Sequence, residues 1–351
     1  MLNTNPYPVR SVPPADAPDS AKDYQWRLWA AREIQQRLLL ALYMLDGLTS
    51  HMSGEPTSVR HTANQMHVPS NEAVFEASTA NEWTAQMRSA ATSQSTSTSF
   101  RLILLHLFNT GGPGEAAWLD TTLSAFSYKI YESNSLDASL SSADRLETLL
   151  RWHALCLDTR LASSLLCRNL SAKYDIRQHI WRDTHGLHAN ANMDLATWPT
   201  TPAARLALLH ATAIQEIIEQ LPHDRAHAIH MPGSLFAAST VYSVFDLGSE
   251  STVKIPSTVT WQDAFVDDRP NANDSVYSHS PPVCRLPSMQ VAESDTARYI
   301  RGDRLQGAGV TSRNLLYELS SMQKLFGCLT AQWGAAVDME AVVDKWIERC
   351  R

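Results

Sequence analysis

No stretch of the chain approaches 18 consecutive apolar residues, and the amino terminus has no basic segment leading into an apolar run. A membrane-spanning helix and a secretory signal are therefore not expected. The cysteines, Cys156, Cys167, Cys284, Cys328 and Cys350, are odd in number and never close enough to form a short zinc-binding pair. They fit reduced intracellular thiols better than a secreted disulfide framework. Basic charge is also short: the net charge of -7 argues against a generally basic nucleic-acid-binding surface.

Motifs of catalysis are missing as well. The sequence contains no metalloprotease His-Glu-x-x-His pattern, no G-x-S-x-G nucleophile elbow and no phosphate-cradling G-x-x-x-x-G-K-S/T loop. The short run of Gly307, Ala308 and Gly309 reads as a turn before the terminal helices. These gaps leave no catalytic, cofactor-binding or metal site to assign, and the chain is not read as an enzyme.

What is present is apolar periodicity. The 351 residues are 44% apolar, enough for a continuous core. In "WRLWAAREIQQRLLLALYMLDGLTSHMSG", Ala30, Ile34, Leu38, Ala41 and Leu45 recur at three- and four-residue steps, predicting one buried helical stripe. The nearly unbroken apolar run from Leu38 to Leu45 predicts neighbours on more than one side. Glu33 and Arg37 stand four apart in the favourable order, a pair worth about 0.2–0.5 kcal/mol when exposed.

Farther along, Pro69 and Ser70 start a helical run toward Trp83, with Ser70 as its expected cap. "FRLILLHLFN" is short enough for a strand or a buried helix. Leu146, Leu150, His153, Leu157, Leu161 and Leu165 form a long stripe, and Leu206, Leu209, Ala213, Ile217 and Leu221 another. "SLFAASTVYSVFDLG" reads as a short buried helix. Leu315, Leu319, Met322, Phe326, Leu329 and Trp333, then Val342, Val343, Trp346 and Ile347, predict a terminal helix pair packed within the chain. Every such face needs a partner, which favours an all-α, multi-helix assembly.

Two stretches depart from the pattern. Residues 1–22, rich in proline, read as a flexible amino-terminal segment, and 248–308, with five prolines and "DDRPNANDS", as an irregular insertion within a helical domain of residues 24–349.

The densest polar cluster is "HDRAHAIH". His223 and His227 can share a helical face, His230 lies a turn away, and Asp224 has an oxygen a metal would accept. Pro222 and Pro232 confine this element, so the histidines read as surface, capping or hydrogen-bonding residues. His185 and His188 flank a flexible glycine and read the same way. Arg177 and Arg182 beside Trp181 are packing and solubility before they are a stacking platform.

The distributed pattern resembles a known family. Trp29, Glu33, Arg37, Leu45 and Asp46, followed by Pro69, Glu72, Phe75, Ala77, Glu82 and Trp83, resemble the regulatory middle domain of fungal-specific transcription factors. "RWHALCLD", "SLFAASTVYSVFDLG" and "GVTSRNLLYELSSMQKLFGCLTAQWG" are similar to the carboxyl-terminal helical regions of factors whose zinc fingers use two cysteines and two histidines.

The resemblance implies a nuclear transcriptional regulator acting through a helical regulatory or protein-interaction domain. Its partners would be co-regulators or another DNA-binding protein, and a homodimer is compatible with it. The chain carries neither such fingers nor a six-cysteine zinc cluster. It therefore reads as a shortened member, an incomplete gene product or a regulator without autonomous sequence-specific DNA binding, zinc belonging only to a separate upstream module. The alternatives are a helical interaction scaffold outside transcription and an enzyme whose residues converge from distant segments.

Overall fold

The structure, a computed structural model, describes residues 12–53, 58, 70, 72–92, 123, 131, 142–160, 163–178, 180, 194–222, 227–248, 250–265, 293–305, 307 and 309–351. The chain divides into two compact units, Met1–His51 with Glu55–Gly111, and Met52–Gly54 with Gly112–Arg351. The described elements are helical apart from one antiparallel strand pair before the last two helices. "FRLILLHLFN", His185, His188, His223, Asp224, Trp181, Arg182 and residues 266–292 lie outside the described residues.

The first unit is organised by α1 (Asp19–Ser53), α2 (Glu72–Phe75) and α3 (Ala80–Thr92). α1 starts at Asp19, inside the segment 1–22 expected to be flexible, with an acidic side chain in the first turn where it complements the helix dipole. Its core joins Trp29 to Val74, Ala77 and Trp83, with Trp26, Ala30, Phe75 and Met87 packed around them.

The run from Ser70 to Trp83 breaks between α2 and α3. Thr79 caps α3 by accepting from the Glu82 amide at 3.2 Å. The Glu82 carboxylate reaches back to the Ser78 amide and hydroxyl, both at 2.9 Å. Ser70 is not the cap the sequence predicts, for its hydroxyl donates to Glu33 across 37 positions of chain.

The second unit is built around α7 (Met231–Leu247). Every residue from Met231 to Asp246 except Gly233 is buried. It packs against α4 (Ser142–Arg160), α5 (Ser163–Lys173), α6 (Pro202–Gln220), α9 (Leu315–Thr330) and α10 (Gly334–Cys350). Pro232 stands in the first turn of α7, where its missing N–H leaves no helical bond unmade, so it opens this helix instead of ending the preceding one as expected.

Thr201 caps α6 through the Ala204 amide, and Asn314 caps α9 through the Tyr317 amide. The expected helix pair at the carboxyl end is present: Leu315, Leu319, Met322 and Phe326 of α9 and Val343, Trp346 and Ile347 of α10 are all buried.

Part of the insertion 248–308 is regular. β1 (Thr252–Pro256) pairs antiparallel with β2 (Val310–Asn314), from Thr252 opposite Asn314 to Pro256 opposite Val310. α8 (Asp295–Arg301) packs against β1 and α6, capped by Ser294 and closed by Gly302 at φ +101. That left-handed conformation favours glycine, which has no Cβ to strain it.

Candidate functional site

α1 has two faces, and the sequence stripe falls on the boundary between them. At about 100° per residue, Trp26, Trp29, Glu33, Arg37 and Gly47 point to one side, and Tyr24, Leu28, Leu38, Leu42 and Leu45 to the other. The first side is the packed one. Trp29 and Trp83 stack obliquely with ring centroids 5.6 Å apart. Glu33, only 3% exposed, accepts from the Ser70 amide at 2.7 Å and from Arg37 Nε at 3.1 Å. Arg37 Nη2 also donates to the Ser70 carbonyl at 2.8 Å, and its guanidinium lies 3.8 Å over the Phe75 ring.

This network corrects the estimate made for an exposed pair. Buried and held by several charge-assisted hydrogen bonds, Glu33 loses more than the surface value when any partner is removed. It also explains why Trp29, Glu33, Arg37, Phe75 and Trp83 carry the resemblance: they form one contact set that ties α1 to the segment after it.

The second side overturns the predicted buried stripe. Tyr24, Leu28, Ile34, Leu38, Leu39, Leu42 and Leu45 are between 41 and 69% exposed. Spacing specifies that residues share a face, but aromatic stacking and the Glu33 network decide which face is covered. The exposed apolar surface is on the order of 600 Å², at the upper end of what monomeric proteins leave bare.

The second unit holds a polar cluster that sequence spacing does not join. His153 of α4 and His210 of α6 meet with their Nδ1 atoms 3.0 Å apart, and the Tyr131 hydroxyl lies 2.6 Å from His153 Nε2. With Tyr131 donating to Nε2, the His153 proton sits on Nδ1 and is donated to His210. Trp152 and Trp261 enclose the rings, the latter stacked on His210 at 4.7 Å. Burial, then the neighbouring His210, pushes the His153 pKa well below its ordinary value. Both imidazoles are under 2% exposed, whereas Tyr131 is 41% exposed, so the cluster meets the surface on its tyrosine side.

Of "HDRAHAIH", His227 and His230 are described and buried. They precede α7 in a turn and do not share a helix face. Burial, then the Arg151 guanidinium that donates to Nδ1 at 2.8 Å, pushes the His230 pKa well below its ordinary value. Backbone atoms of His227 bind Gln332 and Trp333, fastening this turn to the end of α9. Among the described residues no three potential ligands gather around a metal position, and no helix is long and apolar enough to cross a membrane.

Comparison with known proteins gives one positive finding. No curated protein and no solved structure matches the chain. The later segments of the resemblance lie outside the matched region. The model of the fungal specific transcription factor domain matches residues 1–110, a span that ends within one residue of the boundary of the first unit.

Proposed function

We propose that this chain is a nuclear regulator of transcription that acts through the exposed leucine face of α1, with sequence recognition on DNA supplied by a separate zinc module or a partner. The observation that carries the reading is the position of that face inside the segment matching the fungal domain. One side of α1 is anchored by the residues of the resemblance, while the other presents leucines at helical spacing, the form in which a co-regulator helix is received. The net charge of -7 fits a chain that leaves phosphate contacts to another module.

The test is to tether residues 1–351 to an unrelated DNA-binding domain and read a reporter. The tethered chain should change expression several-fold, and the double substitution L38D/L42D should abolish the change while the helical circular dichroism signal is kept. A reporter indifferent to the tethered chain sinks the reading. So does specific DNA binding by the untethered chain near 10⁻⁸ M with about 10³-fold discrimination, the range of an autonomous DNA reader. A concentration-dependent dimer lost in L38D/L42D would instead assign the face to a second copy.

A further inference from the structure

Between the end of α7, β1 and α8 the second unit holds an open cleft of about 460 Å³, a size typical of ligand sites. Phe245 and Val253 contribute apolar lining, and Arg205, Glu250, Lys254 and Tyr299 the polar part. One wall is the outer edge of β1. The Leu315 amide donates to the Ser251 carbonyl at 2.8 Å and the Ser257 amide to the Gly309 carbonyl at 2.9 Å, continuing the strand register at both ends. Antiparallel bonding alternates, so Val253 and Ile255 turn their backbone groups to β2, while Thr252 and Lys254 turn theirs to the opposite edge. Neither has a hydrogen-bond partner there among the described residues.

The side chains around this edge are also unsatisfied. Tyr299 is 8% exposed, and its hydroxyl, without a hydrogen-bond partner among the described residues, keeps solvent access at the cleft. Burial raises its pKa, so it remains a protonated donor at neutral pH. Arg205 gives one N–H to the Ile300 carbonyl at 3.1 Å and forms no ion pair among the described residues. Its guanidinium lies so close to Gly302 that a Cβ there would stand 2.7 Å from Nη1. A fixed cation, a tyrosine hydroxyl open to the cleft and a strand edge unpaired among the described residues thus meet in one place.

We infer that the cleft receives an extended acidic peptide segment of a partner protein, whose main chain adds to the free edge of β1 and whose carboxylate is held by Arg205 and the Tyr299 hydroxyl. A small carboxylate would satisfy Arg205 and Tyr299 but not the strand edge. Thr252 and Lys254 each offer a donor and an acceptor two residues apart, the repeat of another strand. Pro256 ends the supply of donors and limits the addition to a few residues. Lys254 adds positive charge on the edge, and Glu250 repels a second carboxylate placed at its end of the cleft. The site lies outside the matched segment and does not depend on the transcriptional role of α1.

The probe is an acetylated, amidated hexapeptide alternating valine and aspartate, titrated against the full chain by fluorescence anisotropy. Binding should be saturable. Tyr299→Phe, which removes only the hydroxyl, and Lys254→Glu should each weaken it by roughly tenfold, the size expected for a hydrogen bond or charge contact to a carboxylate. The valine and asparagine analogue, and a version N-methylated at alternate residues to block strand pairing, should lose binding. The proposal is overturned if the hexapeptide does not bind at millimolar concentration, if both variants bind as the parent does, or if the N-methylated version binds equally. It is also overturned if free glutamate competes as well as the hexapeptide. The tethered reporter is unaffected by Tyr299→Phe if only the α1 reading holds, so the two proposals fail separately.

Discussion

Helices α1 and α7 are both apolar on more than one side, and only one of them is interior. α7 is surrounded by five other helices, and its residues are buried almost without interruption. α1 meets α2 and α3 on its tryptophan side and leaves Leu38 60% exposed on the other. Composition differs, since α1 carries charged residues from Asp19 to Asp46 and α7 only Asp246, and so does the number of faces for which the described structure supplies partners. An apolar helix surface is thus a demand for a neighbour, and the fold of its own unit need not meet it.

The largest expected effect is in the second unit. Phe236 of α7 stacks on Trp346 of α10 with centroids 5.3 Å apart, and both are fully buried. Phe236→Ala should lower stability by about 3–5 kcal/mol, the range for removing a large core side chain. Urea unfolding followed by circular dichroism reads this, and a loss under 1 kcal/mol would make α7 no more interior than α1.

A smaller effect sharpens the contrast through pH. His153 and His230 are held neutral by burial, their pKa values depressed below the unfolded value. The unfolded chain then binds more protons below about pH 6.5, so the second unit loses stability as pH falls through that value and below. Between pH 7.5 and 5.5 the loss should be about 1 kcal/mol per histidine. Hydrogen exchange resolved by segment should show it in α4 and α7, and His153→Phe should reduce the slope. A stability that is flat over this range would contradict neutral burial.

The smallest effect is expected at Leu38→Ala. As the side chain is largely exposed, the change in unfolding free energy should stay within about 0.5 kcal/mol. A loss above 2 kcal/mol would mean that the leucine face of α1 is covered within the folded chain, and the comparison with α7 would collapse.

Much of the helical framework is legible in the sequence because its stripes and punctuation agree. Leu150, His153 and Leu157 share a buried face of α4, and Leu206, Leu209 and Ile217 one of α6. In α1 the spacing shows the apolar residues but not which face is covered, since Glu33 is held by Ser70, far along the chain. The strand pair is hidden in the sequence for another reason. Val253 and Ile255 alternate with exposed neighbours as in a half-buried strand, but the surrounding prolines and polar residues outweighed so short a signal. The cleft had no signal to find: Arg205, Lys254 and Tyr299 come from three elements, and only the register of β1 brings an unpaired edge to them.

That register also governs how the chain tolerates change. With Pro256 opposite Val310, one clasp closes an interval that touches the helical body again at Trp261 and α8. The entropy of closing such a loop grows only with the logarithm of its length, about 0.6 kcal/mol for each doubling. Insertions and deletions that leave Trp261 against His210 and α8 against α6 therefore weigh little on the body. Selection can change the length between Trp261 and α8 at small cost, provided that these contacts and the five paired positions on either side are kept.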